Sequence, residues 1–425
     1  VAVHVSNAPA LHGSVEVPGD KSASHRALMI SALASGTSQI HGLSPGLDVA
    51  ATSDIVQQLG AQRGEEDGVV TIEGQPGGLR ASSEELDCAN SGTSMRLLAG
   101  VVSGVAGEHT LIGDASLSRR PMDRVAAPLT LMGARIRGRG ESVTAPLHVR
   151  GSVTLEHIDY RVPIASAQVK SAILFAALAA SAPTTVHEDV RTRTTTEDML
   201  RQCGVDVRSV DDGEGCVVTV SPARPQPTTW RIPGDPSQAA FFAVLGAIHG
   251  CAVVEVPHID ASPQRIGYVE VLARMGASIS LDVRDGGVTL VSQSSQLNAT
   301  EVHSREVPSV DEVPVLCVAA AAAHGVSAFR EMGELRIKES DRFAGSMALA
   351  RLLGCRVWEE GDDFFVEGLG AADAFQHFGF DAGLDHRMVM ASAVAGAAGA
   401  GCDIDGADTV ASSYPGFFDD LRSLT

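Results

Sequence analysis

The chain has 425 residues, 44% of them hydrophobic, and a formal net charge of −20. A single hydrophobic core rarely grows past about 250–300 residues, so this length implies two domains. The acidic balance excludes the basic face that nucleic acid or an anionic membrane surface requires, so an anionic substrate would need a local positive site.

Of the 32 basic residues only Lys21, Lys170 and Lys338 are lysines. Lysine is a compact charge whose pKa burial can tune, whereas arginine is an almost permanently charged fork. Each of the three lies in a dense polar motif, which marks Lys21 and Lys338 as functional candidates. Seven cysteines without a C-x-x-C suit a reduced, cytoplasmic protein without disulfides or a zinc motif. No apolar leader opens the chain, and its start at Val1 without Met fits a trimmed or an incomplete N-terminus. The Ala-rich stretches are too short for a membrane span.

In chain order, six segments begin with a polar turn and continue as an Ala-rich apolar helix: GDKSASHRALMISALASG from Gly19, NSGTSMRLLAGVVSG from Asn90, ASAQVKSAILFAALAA from Ala165, GDPSQAAFFAVLGAIHG from Gly234, VDEVPVLCVAAAAAHG from Val310 and LDHRMVMASAVAGAAG from Leu384. A second helix follows each of the first five and ends at Gly60, Gly133, Gly204, Gly276 or Gly354, the expected left-handed C-caps. β-rich runs such as GVVTIEG, CVVTVSP, GVTLVS and FFVEG come next. The sixth unit stops after FFDDLRSL, and the N-terminal run AVHVSNAPALHGSVEV is expected to supply its missing strands.

This pattern predicts an α/β (α+β) fold of six βαβαββ units, three per domain. The look-alike segments PGDKS (18–22) and PGDPS (233–237) mark the expected hinges. One domain would comprise 19–234, and the other 1–18 plus 235–425.

Helix N-termini carry exposed N–H groups and partial positive charge, so polar turns flanked by Lys21, Arg26, Arg96, Lys170, His386 and Arg387 predict anion sites. Many Ser and Asp residues there also serve as N-caps. ELRIKESDR at 334–342 and SLSRRPMDR at 116–124 are the densest charge clusters.

Nine motifs now define a resemblance: PGDKSASHR, NSGTSMR, GDASLSRRPM, RVPIASAQVKSA, TRTTTEDML, PGDPSQAAF, DEVPVLCVAAA, ELRIKESDR and LDHRM. In this order the chain resembles the EPSP synthase (3-phosphoshikimate 1-carboxyvinyltransferase) family from about residue 13 to 421, in wording closest to class II. The resemblance implies an inside-out α/β barrel in each of two domains that close on a central cleft. It implies a transferase that moves the enolpyruvyl group of phosphoenolpyruvate to the 5-hydroxyl of shikimate 3-phosphate and releases phosphate, in aromatic amino-acid biosynthesis. No cofactor or metal is implied, and a monomer is expected.

By the same resemblance, Asp311 is the base for the attacking hydroxyl and Glu339 the proton donor to the methylene, with Lys21 and Lys338 close to the transferring group. Shikimate 3-phosphate would be gripped by Lys21, Ser22, Arg26, Ser166, Ala167, Gln168, Arg193, Asp311 and Lys338. Phosphoenolpyruvate would be lined by Lys21, Gly92, Arg120, Gln168, Arg342 and Arg387. Lys170 is expected to be supportive, and Glu312 receives no role. Ser412 stands where some members carry Lys, and Ala167 where some carry Ser. Gly92, which some glyphosate-tolerant members replace with Ala, implies inhibition by glyphosate.

The sister enzyme, UDP-N-acetylglucosamine enolpyruvyl transferase, is the nearest alternative, but it places a Cys where Ala115 stands here. A catalytically silent binding paralogue is the other alternative; intact Lys21, Asp311, Glu339 and Arg342 speak against it. GDKS lacks the upstream Gly of a P-loop. In GLSPG the residue after the would-be nucleophile is Pro45, which has no N–H for an oxyanion hole.

Overall fold

The computed structural model describes residues 2–284 and 287–425; Val1, on which the trimmed-start expectation falls, lies outside them. Twelve α-helices occur among the described residues: α1 Lys21–Leu33, α2 Leu47–Gln58, α3 Gly92–Ser103, α4 Asp123–Leu131, α5 Ala167–Ala177, α6 Thr195–Gln202, α7 Pro236–Ile248, α8 Gly267–Arg274, α9 Val313–Ala322, α10 Arg342–Leu353, α11 His386–Ala398 and α12 Phe417–Ser423. The odd-numbered helices are the Ala-rich ones that open each repeat. The five predicted C-cap glycines all adopt positive φ, between +83° at Gly204 and +109° at Gly60.

The chain forms two compact units, one of Lys21–Ile232 and one of the residues up to Asp20 with Pro233–Thr425. In the second, every residue of α7, α9 and α11 is buried. Helices apolar on all sides belong inside, and these three pack on one another to form the core. In the Lys21–Ile232 unit, α3 and α5 pack closely, and α1 packs on α3. The approach of α3 to α5 needs Gly100, because an added Cβ would run into the Ala172 backbone. Small residues thus set the helix spacing, which accounts for the Ala-rich composition.

Six sheets cover these helices. In the second repeat, Leu86–Asp87 runs parallel to Gly107–Ile112, which pairs antiparallel with Thr144–Gly151, itself antiparallel to Arg135–Arg139. The same arrangement recurs with Asp159–Arg161 and with Glu301–His303 as the parallel edge strand. The sheets stay open: no barrel closes among the described residues.

The edge strands of three repeats come from elsewhere in the chain. Thr229–Arg231 runs parallel to Gly36–His41 in the first. Leu11–Ser14 runs parallel to Ala252–Ile259 in the fourth. Val3–Val5 pairs antiparallel with Cys402–Asp405 in the sixth. The N-terminal run therefore gives the sixth repeat one strand and sends its other to the fourth.

The two Pro-Gly-Asp segments pair with each other. The Asp20 N–H donates to the Pro233 carbonyl at 2.7 Å, and the Asp235 N–H to the Pro18 carbonyl at 2.9 Å. Buried Arg265 ion-pairs with Asp20 at 2.5 Å and Asp235 at 3.0 Å. The guanidinium thus places one buried cation between two buried aspartates. No helix among the described residues is long and apolar enough to cross a membrane.

Candidate active site

Two clusters emerge, one in each unit. In the Lys21–Ile232 unit, Lys21 starts α1 and its ammonium lies 3.0 Å from Asp48. Arg26, one turn along, is almost wholly buried. Its Nε donates to Thr196 Oγ1 at 2.6 Å, Nη1 to the Ser22 carbonyl at 2.8 Å and Nη2 to Ser171 Oγ at 2.9 Å. Arg193 donates to Ser22 Oγ at 3.4 Å. Lys21, Ser22, Arg26 and Arg193 therefore share one patch.

A second group sits at the start of α3 and α5. Ser91 and Ser166 cap these helices through the N–H groups of Ser94 and Val169. Arg96 donates to Gln168 Oε1 at 2.8 Å, and Gln168 donates to Thr93 Oγ1 at 3.0 Å. Arg120 donates to Asn90 Oδ1 at 3.0 Å and Ser116 Oγ at 3.3 Å. A Cβ on Gly92 would lie 2.9 Å from Arg96 Nη1 and 3.0 Å from Arg120 Nη1. The bare glycine is what lets these two guanidinium groups approach. α5 joins both groups, since Gln168 and Ser171 lie on its first turns and Ala167 begins it. Beneath them His25 meets Thr52 Oγ1 at 2.8 Å. Burial, with Lys21 and Arg26 adding to it, pushes its imidazole well below the usual range, so His25 adds no charge here.

Lys170 has a different environment. Its side chain is 1% exposed and lies 2.7 Å from each of Glu188 and Glu197, which are as deeply buried. This is an internal ion triad at the α5–α6 packing. Removing one partner strands charge in the core, so Lys170→Met is expected to cost ~3–5 kcal/mol of stability. Denaturant unfolding checks the loss, and substrate KM values should stay near those of the parent protein.

The other unit concentrates carboxylates and cations at the starts of α9, α10 and α11. Arg342 is the hub, with its side chain 1% exposed. Nη1 donates to Asp311 Oδ1 at 2.8 Å, Nη2 lies 2.7 Å from Glu339 Oε2, and Nε donates to Asp385 Oδ2 at 2.8 Å. Asp385 caps α11 by accepting from the Arg387 N–H at 2.9 Å and also accepts from Ser340 Oγ. Arg387 Nη2 lies 3.9 Å from Asp311 Oδ2, and its Nη1 donates to the Ser237 carbonyl.

Asp311 thus sits between two arginines. Burial alone would raise its carboxyl, but Arg387, Arg342 and Lys338 outweigh that and hold it well below the usual carboxylate range. Burial lowers Lys338 from the ordinary lysine range, with Asp311 and Glu339 opposing. Glu312, which the resemblance leaves without a role, is buried and accepts from Ser237 and Ser309 hydroxyls, so it braces the turn before α9.

The two clusters differ in charge. Lys21, Arg26, Arg96, Arg120 and Arg193 outnumber the Asp48 carboxylate beside them, which suits holding anions. Lys338, Arg342 and Arg387 are matched by Asp311, Glu339 and Asp385, which suits moving protons between charged groups. Asp385 and Asp48 are absent from the sequence-derived set. Asp385 immediately precedes His386 and Arg387 in a recognised motif, but an Asp there reads as an N-cap alone.

A cation-rich cluster in one unit suits anions, and an acid–base cluster in the other suits proton movement; each on its own fits group transfer on small anionic molecules. The profile of the EPSP synthase family, described as EPSP synthase (3-phosphoshikimate 1-carboxyvinyltransferase), matches residues 5–421. A 3-phosphoshikimate 1-carboxyvinyltransferase of Halorhodospira halophila is 43% identical over 98% of this chain and 94% of the relative. One of Lactococcus lactis subsp. cremoris is 37% identical over 99% and 98%. A solved EPSP synthase from Acinetobacter baumannii superposes with a TM-score of 0.85 at 36% identity, covering 100% of this chain and 98% of its own. The chain belongs to the EPSP synthase family, the 3-phosphoshikimate 1-carboxyvinyltransferases of the shikimate pathway, and is a transferase.

Proposed function

We propose that this protein transfers the enolpyruvyl group of phosphoenolpyruvate to the 5-hydroxyl of shikimate 3-phosphate, with the roles of individual residues divided between the two clusters. The observation that carries the division is Asp311, held between Arg342 and Arg387 and joined through Arg342 to Glu339. Lys21, Ser22, Arg26, Ser166, Ala167, Gln168, Arg193, Asp311 and Lys338 hold shikimate 3-phosphate. Lys21, Gly92, Arg120, Gln168, Arg342 and Arg387 hold phosphoenolpyruvate.

In addition, Glu339 gives a proton to the methylene carbon, and the adjacent carbon gains cationic character. The 5-hydroxyl oxygen bonds to that carbon as its proton passes to Asp311. In elimination the C–O bond to phosphate breaks, the hydroxyl proton held by Asp311 leaves with the phosphate, and the new methyl group returns a proton to Glu339 as the double bond reforms. Lys21 and Lys338 offset the charge that moves onto the leaving phosphate. An anion that draws Arg342 and Arg387 toward itself leaves Asp311 with less countercharge and makes it a stronger base in the loaded site than in the free one. Phosphorus NMR of a mixture of both substrates and the protein tests the reaction. Signals of inorganic phosphate and a new phosphate monoester should rise together; phosphate without the monoester would mean hydrolysis instead of transfer.

Glyphosate inhibition belongs to the same reading, because Gly92 has no side chain to hold off the Arg96 and Arg120 guanidinium groups. The parent protein is expected to lose activity at sub-millimolar glyphosate. Gly92→Ala pushes against both guanidinium groups, so it should raise the inhibitory concentration at least ~10-fold and raise KM for phosphoenolpyruvate as well, since a shift of ~1.4 kcal/mol suffices. Steady-state inhibition curves check both. A cytoplasmic monomer completes the proposal: the seven cysteines are free thiols, six of them buried, which suits a reducing compartment. The paired Pro-Gly-Asp segments are the proposed hinges.

A further inference from the structure

We propose that His4, His377 and Asp403 form a surface binding site for one divalent transition-metal ion of the zinc class, built on the sheet of the sixth repeat. Asp403 lies on the central strand, Cys402–Asp405. His4 is its partner on the N-terminal strand, Val3–Val5, and His377 immediately precedes the third strand, Phe378–Asp381. The ligand atoms of all three lie within 4.8 Å of one another.

The separations fit a direct His4–Asp403 hydrogen bond and also fall near those a bound metal would impose. His4 Nδ1 lies 2.9 Å from Asp403 Oδ1, and His377 Nε2 lies 3.4 Å from Asp403 Oδ2. Zinc takes nitrogen and carboxylate ligands at about 2.0–2.2 Å, so the edges of its tetrahedron measure roughly 3.3 Å. Two imidazoles, one on the N-terminal strand and one in the loop just before the third, thus converge on one carboxylate at separations a single ion accommodates. Their rings lie with centroids 6.2 Å apart and planes 28° from parallel. The two nitrogens and one oxygen form a borderline donor set that favours zinc, nickel or copper over magnesium or calcium. Asp405 lies two residues beyond Asp403 on the same face, and Asp381 is its ladder partner. Both are exposed and bring negative potential to a cation at the site.

An ion there would tie the N-terminal strand to the body of its unit. The protein would be stabilised by ordinary binding linkage, because the three ligands come together only in the folded chain. The site is independent of the proposed reaction, since none of its residues belongs to either cluster above.

The test uses untagged, EDTA-stripped protein titrated with Zn²⁺ in a calorimeter, with Mg²⁺ in parallel. The side chains are 58%, 49% and 58% exposed, so substitutions leave the core untouched. The expected result is one Zn²⁺ per chain, weakened on the order of tenfold or more by either His4→Ala or His377→Ala. The double variant should lose it, and Mg²⁺ should give no saturable heat. Zn²⁺ should also raise the melting midpoint of the parent protein and not that of the double variant. Absence of saturable Zn²⁺ binding, or variants that bind it as the parent does, would overturn the proposal.

Discussion

Asp311→Ala is expected to lower kcat by about 10³-fold, the middle of the range for removing a positioned general base. The side chain accepts from Arg342 at 2.8 Å and faces Arg387 at 3.9 Å, so its loss changes the proton acceptor and the local charge together. Asp311→Asn separates the two: it keeps the shape and cannot take the proton, so it should be nearly as slow while KM for each substrate stays within a few-fold. Steady-state rates of both variants check this. An active Asp311→Asn would move the base elsewhere. The pH effect on stability has a definite sign. Arg387, Arg342 and Lys338 hold the folded-state carboxyl below its unfolded value against burial, which opposes them. Its contribution to stability is therefore complete above the ordinary carboxylate range and is lost as pH falls through the lower folded value. Asp311→Ala should accordingly show a shallower loss of stability in acid.

The largest combined effect on activity and stability is expected at Arg342. Its guanidinium is 1% exposed and engages Asp311, Glu339 and Asp385. Arg342→Met leaves three carboxylates around an apolar side chain, and removing one partner of a buried ion pair costs ~3–5 kcal/mol. Arg342→Lys keeps the charge but cannot reproduce a fork that reaches three carboxylates, so it should recover part of the stability and little of the activity. Denaturant midpoints and kcat of the two variants check the split. If Arg342→Lys were fully active, the planar fork would not be what orders the cluster.

Much of this was readable in the residues. The six helix openings and five glycine C-caps come from local chemistry, and local chemistry is what a sequence displays. The edge strands depend on partners hundreds of residues away. Nothing in LHGS says that it will lie beside Ala252–Ile259 while VHV lies beside Cys402–Asp405. The same limit hid Arg265, which joins Asp20 and Asp235 across the paired Pro-Gly-Asp segments. Lys170 shows the opposite case: its rarity singled it out, but only the buried Glu188 and Glu197 reveal a structural triad. Asp385 was hidden by doing two things at once, capping α11 and bracing Arg342.

The most direct test of the central claim is phosphate release from purified protein given phosphoenolpyruvate, with shikimate 3-phosphate and UDP-N-acetylglucosamine as acceptors in parallel assays. Release with shikimate 3-phosphate alone, abolished by Asp311→Ala, is the predicted result. Release with the sugar nucleotide alone, or with neither acceptor, would contradict it.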